Sequence, residues 1–261
     1  MSNAAKTICQ NFAKTMHTVY FTSLGEMPYD EAYRLQKHVF EHVSQAQMPD
    51  IVLSVEHPHV YTLGKQSNPA HLLWSKETLQ AKNIAIFETD RGGEITYHGY
   101  GQFVAYPILN LNHFYKDAHR YLRDLEEVVI RLLGELGVAA GRKQHHDPRK
   151  NYTGVWVGEE KICAIGVKFS NWTTMHGLAL NVNTDLSYFE GIVPCGIMDK
   201  GVTSLAKILS QDVPLTQIEE LFIKHFGQVF GVSVERMEKW KLQEQIRQHH
   251  QTFSTSLEHK L

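Results

Sequence analysis

Val155-Trp156-Val157-Gly158-Glu159-Glu160-Lys161-Ile162-Cys163-Ala164-Ile165-Gly166-Val167-Lys168-Phe169 places two apolar, β-branched runs on either side of a Gly-Glu-Glu turn. Such a pattern predicts a β-hairpin, with Val155–Val157 returning through Ile162–Phe169. A further strand is predicted at Gly177–Val182, with no helical spacing between. Strand following strand argues against a regular βαβ winding and for an α+β fold with a mixed sheet.

Working outward, the clearest helix is Asp117–Leu136. Leu122, Leu125, Val128, Val129, Leu132, Leu133 and Leu136 form one apolar stripe, and Gly137 supplies a stop. Short β-branched runs at Thr18–Thr22, Ile51–Val55, Ile84–Phe87 and Phe103–Ile108 predict strands. Tyr29–Gln45 has helical spacing with Tyr33, Val39, Phe40 and Val43 on one side, and Ser75 is placed to cap a brief helix. A helix near Leu215–Phe230 and a last strand at Val232–Val234 complete the pattern. No repeat or Pro/Ser-rich linker divides the chain, so one domain is expected, over residues 18–232. Residues 1–17 read as an N-terminal extension and 233–261 as a C-terminal tail.

The 261 residues are 43% apolar and 21% charged, with a formal net charge of −2. That is an ordinary globular composition, without the basic excess that draws a protein to nucleic acid or anionic membranes. No apolar run approaches the roughly 18 residues of a membrane span. Cysteines at 9, 163 and 195 are an odd number without metal spacing, which fits a reducing compartment. The first 25 residues lack acids but also lack arginine, so the cytoplasm is expected rather than the mitochondrion. One local patch stands out: Arg142, Lys143, Arg149 and Lys150 put four cations in nine residues just before the hairpin, where a basic loop would steer an acidic partner.

Three stretches carry possible chemistry. In Asp90–Gln102, the glycines Gly92, Gly93, Gly99 and Gly101 permit close backbone approach to an oxygen-bearing ligand, beside the donors Arg91 and His98. The loop has neither a phosphate-loop Gly-Lys-Ser/Thr nor a dinucleotide fingerprint. In the second stretch, strand alternation places Lys161, Cys163, Ile165, Val167 and Phe169 on one face. Cys163 then reads as a packed thiol, Lys161 after its turn as a solvated surface lysine, and Gly166 as a point of close backbone approach. The third is His176-Gly177-Leu178-Ala179-Leu180-Asn181-Val182. The pairs at His57/His59, His145/His146 and His249/His250 lack the companions a zinc site needs and read as solvent-facing or locally structural. Cys195 differs from Cys163: it sits between Pro194 and Gly196, in a turn where an acyl group can approach the sulfur. A histidine (His98 or His176) or a lysine would partner it; periodicity does not choose.

Together these stretches resemble the lipoyl(octanoyl) transferases, relatives of lipoate and biotin protein ligases. The resemblance runs from about Thr18 to Phe230. It is densest at Arg91–Gly99, at Lys161–Gly166, and from His176 through Asp185-Leu186 to Pro194-Cys195-Gly196-Ile197. Tyr100 departs from it, standing where the family usually has proline. The resemblance implies a biotin/lipoate protein ligase-like α+β domain that moves octanoyl from acyl carrier protein to a lysine of lipoyl domains. The implied acceptors are 2-oxoacid dehydrogenase complexes and the glycine cleavage H protein. It implies Lys161 and Cys195 as catalytic residues. For substrate binding it implies Arg91, Gly92, Gly93, Glu94, Ile95, Thr96, Tyr97 and His98 of the loop, Ala164, Ile165 and Gly166 of the strand, and Gly177, Leu178 and Ala179. No metal or other cofactor is implied. An ATP-dependent ligase, a non-catalytic acyl- or lipoyl-domain-binding module and a cysteine hydrolase are the competing readings.

Overall fold

The computed structural model describes residues 16–143, 152–194 and 200–258, with side chains through Gln248. The main sheet is built from β1 (Thr18–Glu26), β2 (Ile51–Glu56), β6 (Gln102–Ile108), β7 (Gly154–Val157), β8 (Glu160–Ser170), β9 (Thr173–Asn181), β10 (Gly201–Val202) and β11 (Ser233–Arg236). Their order is β10-β8-β9-β6-β2-β1-β11, with β7 also paired to β8. β1 runs parallel to β2 and β11, while β2, β6, β9, β8 and β7 pair antiparallel. The sheet is therefore mixed, as the strand-after-strand pattern predicts. β3 (Val60–Leu63), β4 (Ala85–Glu88) and β5 (Thr96–His98) form a second, small sheet in the order β4-β3-β5.

Helix α1 (Tyr29–Ser44) covers one face of the main sheet, packing Val39 and Val43 near Leu53, Val104 and Tyr106. Helices α3 (Ala118–Glu135) and α5 (Leu215–Phe230) cover the other. Asp117 caps α3 by accepting from the Arg120 N–H, and Gly137 (φ +75°) ends it. The leucine-valine stripe of α3 meets Phe222 and Phe226 of α5 over Phe103, Leu178, Leu180 and Cys163. The short α2 (Lys76–Ala81) begins at Ser75, whose hydroxyl accepts from the Thr78 N–H. Among the described residues no helix is long and apolar enough to cross a membrane.

Several elements differ from expectation. β9 starts at Thr173 because Asn171 and Trp172 both take positive φ (48° and 62°), making a two-residue turn straight from β8. β3, β5, β10 and α4 (Leu205–Leu209) are too short to show a period, and tertiary pairing defines them. The segment expected to be a tail adds β11 to the sheet and continues into α6 (Lys239–Glu258), whose Leu242 is buried in the α1-side core.

Candidate active site

The glycine-rich loop is laid across the main sheet by its backbone. The Gly92 N–H donates to the Val167 carbonyl of β8 at 2.9 Å, and a Cβ at Gly166 would lie 3.0 Å from the Gly92 oxygen. Gly166 is thus the close approach its position in a strand suggests, with the loop itself above it. Arg91 is buried and donates to the Thr62 carbonyl (2.7 Å) and hydroxyl (2.9 Å), so its guanidinium fastens the loop to the small sheet. Glu94 accepts from the Asn68 N–H and contacts His71, bracing the neighbouring turn. Ile95 and Tyr97 point into the small-sheet core, where the Tyr97 hydroxyl meets His59 Nδ1 at 2.8 Å.

Thr96, on the opposite side of β5, lines a small, partly open pocket between the two sheets. Lys161, Ala164, Ala179 and Pro194 share that pocket, along with Gln102, Ile162, Asn181, Phe189 and Val202, which sequence reasoning left out of the site. Asn181 stands within the third motif and Gln102 closes the first, so proximity to motifs was the one available signal. Phe189 and Val202 come from segments that only the fold brings there. The polar members form a chain: the Gln102 amide donates to Asn181 Oδ1 (2.9 Å), and Asn181 donates to the Thr203 carbonyl (3.0 Å). The Gln102 carbonyl therefore accepts from His98 Nδ1 (2.8 Å), which sets the proton on that nitrogen. Burial holds His98 neutral well below the usual histidine range, helped by His57 nearby.

Lys161 is not the surface lysine its turn position suggests: only 7% of it is exposed. β7 and β8 pair Val155 with Cys163 but Trp156 with Lys161, leaving Ile162 as the extra residue of a β-bulge. The bulge breaks the alternation, so Cys163 stays in the main core while Lys161 joins Ala164 at the pocket. Lys161 Nζ lies 4.9 Å from the Trp156 ring centre and donates to the Thr153 carbonyl at 3.3 Å. Gly154 (φ +133°) lies beneath its stem, since a Cβ there would come within 3.5 Å of Lys161 Cε. Glu126 of α3, fully buried, accepts from the Gly154 N–H (3.0 Å) and pairs with Arg123 and Arg142. Burial pushes the Cys163 thiol far above the usual range, and so removes it as a nucleophile.

The remaining expected residues make contacts within the scaffold. Leu178 lies in the main core and Ile165 packs against it. A Cβ at Gly177 would sit 2.1 Å from the Ala105 carbonyl oxygen, so glycine there admits the neighbouring strand. His176 adopts φ +61°, which turns its ring toward α1; Nε2 contacts Asp90 Oδ1 at 2.8 Å and the ring stacks on Tyr33. Asp90 also pairs with Lys168 of β8 at 2.7 Å. Of the paired histidines, His57 is buried and bonded to the Met27 carbonyl and Tyr106 hydroxyl, not solvent-facing. Cys195, Gly196 and Ile197 lie outside the described residues, as do His145, His146, Arg149 and Lys150.

Residues 28–227 match the family model of the lipoyl protein ligase A/B catalytic domain. The chain is 43% identical over 234 residues to an octanoyltransferase of Flavobacterium psychrophilum, covering 83% of this chain and 98% of that protein. It is 49% identical over 209 residues to an octanoyltransferase of Rubrobacter xylanophilus, covering 79% and 91%. Its fold resembles lipoate-protein ligase A crystallised with ATP (TM-score 0.69, 15% identity, covering 90% of this chain and 94% of that one). A bipartite lipoate protein ligase from Thermoplasma acidophilum is similar too (TM-score 0.66, 16% identity, covering 90% and 91%).

Proposed function

The chain belongs to the lipoyl protein ligase A/B catalytic-domain family and is an acyltransferase, and from that premise we propose that it carries octanoyl from acyl carrier protein to a lipoyl-domain lysine through a thioester on Cys195. The observation that carries this reading is the setting of Lys161. A bulge takes it out of solvent into a pocket whose wall includes Pro194, the residue bonded to Cys195.

In the first half-reaction the Cys195 thiolate attacks the carrier thioester. The carrier sulfur leaves and takes a proton from Lys161, which is left as the free amine, so one thioester replaces another at little free-energy cost. A cation beside a thiol favours the thiolate, which is the role assigned to Lys161. In the second half-reaction the acceptor lysine, as the free amine, attacks the acyl-enzyme. Lys161, neutral at this stage, takes the amine proton as Cys195 leaves as thiolate, which gives the amide and restores the starting pair. Ala164 and Ala179, whose small side chains line the pocket, leave room for the acyl chain. The acceptors would be lipoyl domains of 2-oxoacid dehydrogenase complexes and the glycine cleavage H protein.

Intact mass spectrometry after mixing with octanoyl carrier protein tests this directly. The expected result is an octanoyl adduct mapped to Cys195 that disappears when a lipoyl domain is added. Modification of the domain from free octanoate and ATP, with no adduct from the carrier, would make the protein a ligase. Release of free octanoate would make it a hydrolase, and binding without any adduct a non-catalytic module.

A further inference from the structure

We propose that His17, Asp50 and His113 form a binding site for one divalent transition-metal ion of the zinc type, separate from the transfer site. Asp50 has a side chain 0% exposed, and its Oδ2 meets His17 Nε2 at 2.6 Å and His113 Nδ1 at 2.8 Å. The other oxygen, Oδ1, accepts from the Asn110 N–H at 2.6 Å, so the carboxylate is held in place from behind. The two imidazoles are 36% and 43% exposed, which leaves the outer side open to solvent. All three ligand atoms lie within 4.8 Å of one another.

Two imidazole nitrogens and one carboxylate oxygen are a zinc donor set, with water as the fourth ligand, and Asn110 supplies the outer support such ligands need. Metal–ligand bonds of about 2.0–2.2 Å in a tetrahedron set the ligand atoms about 3.3 Å apart. To reach that spacing each half-exposed ring moves roughly half an ångström away from Oδ2, and the two ring nitrogens, within 4.8 Å of each other, settle to the same separation. A ring that binds the metal carries its proton on the other nitrogen and offers its lone pair. The ion would also neutralise a buried carboxylate. It would join the chain before β1, the start of β2 and the turn after β6. β6 carries Gln102 at the pocket end and Ile108 at this end, six steps of about 3.4 Å, so roughly 20 Å separates the two sites.

Zinc titration by calorimetry, with Co²⁺ as a spectroscopic stand-in, tests the site on the full chain. His113→Ala removes a half-exposed ligand without opening the core, and Asp50→Asn removes the charge. The expected result is one tight zinc site in the unaltered protein, weakened about tenfold or more by His113→Ala. Its Co²⁺ spectrum should lack the thiolate charge-transfer band, and zinc should raise the melting temperature of the unaltered protein but not of His113→Ala. Octanoyl transfer by His113→Ala without added metal should equal that of the unaltered protein. Identical titrations for His113→Ala and the unaltered chain overturn the proposal, as does a thiolate band, which would place the tight site at a cysteine.

Discussion

Among single residues, Lys161 departs furthest from what its place in the chain suggests, because one unpaired residue in β8 decides which way it points. A free thiol of ordinary pKa, about 8.5, is only ~3% thiolate at pH 7, so a neighbouring cation has much to contribute. Lys161→Ala should slow iodoacetamide alkylation of Cys195 at neutral pH and move its pH profile upward. Lys161→Arg should restore alkylation in part but not transfer, since arginine keeps its proton. An unchanged alkylation profile in Lys161→Ala would remove lysine from the pairing. His98 and His176 are poorer partners, because neither lines the pocket that Lys161 shares with Pro194. Cys195→Ser should abolish the acyl adduct, whereas Cys163→Ser should keep most activity. Chain length belongs to this scale too. Ala179→Leu fills the pocket and should impair octanoyl transfer more than butanoyl transfer, by about 1–3 kcal/mol per excluded methylene. Gly177→Val would instead collide with the Ala105 backbone and should reduce both donors alike through misfolding.

At the level of elements, α3 does more than cover the sheet. Its buried Glu126 joins Arg123 and Arg142 to the Gly154 N–H, directly under the Lys161 stem. Glu126→Ala would leave the buried Gly154 N–H without its acceptor, while the half-exposed Arg123 and Arg142 turn to water, and should cost about 1–3 kcal/mol in denaturant unfolding. Glu126→Gln keeps an acceptor for Gly154 and should retain more kcat at a temperature where both variants are folded. Arg142 is tied into this network and Lys143 pairs with Glu159, so reversing both charges would test stability before it tested carrier steering. The C-terminal segment is likewise structural. Leu242→Ala should lower stability by about 2–5 kcal/mol, and an unchanged melting temperature would show that α6 is dispensable to the α1-side core.

For the molecule as a whole, buried histidines should add to the loss of stability in acid. Burial lowers His57 to about 4, with its bond to the Met27 carbonyl opposing only in part, and His98 is lowered as well. A histidine whose folded pKa is depressed contributes fully above its unfolded value near 6.5 and loses that contribution as pH falls toward the folded value. Stability should therefore decline between pH 6.5 and 4, by roughly 3 kcal/mol for His57 alone. His57→Gln should flatten that slope in acid unfolding experiments. A slope identical to the unaltered protein's would mean that other groups dominate.

Periodicity along the chain determined the α+β class, the long helices and most strands of the main sheet, because a stripe of apolar residues declares locally which face will be buried. The leucines and valines of α3 needed no partner to be read as a core face, and Asp117, Ser75 and Gly137 marked boundaries through chemistry confined to one turn. The motifs also supplied part of the pocket lining, since Thr96, Lys161, Ala164, Ala179 and Pro194 come from them. What each motif residue does was decided by tertiary structure. Arg91, Glu94 and Gly177 brace the scaffold, while Gln102, Asn181 and Phe189 reach the pocket. That division rests on pairing across the sheets, and a single bulged residue is enough to exchange the two faces of a strand. Alternation along β8 joined Lys161 to Cys163; the partner strand β7 separated them.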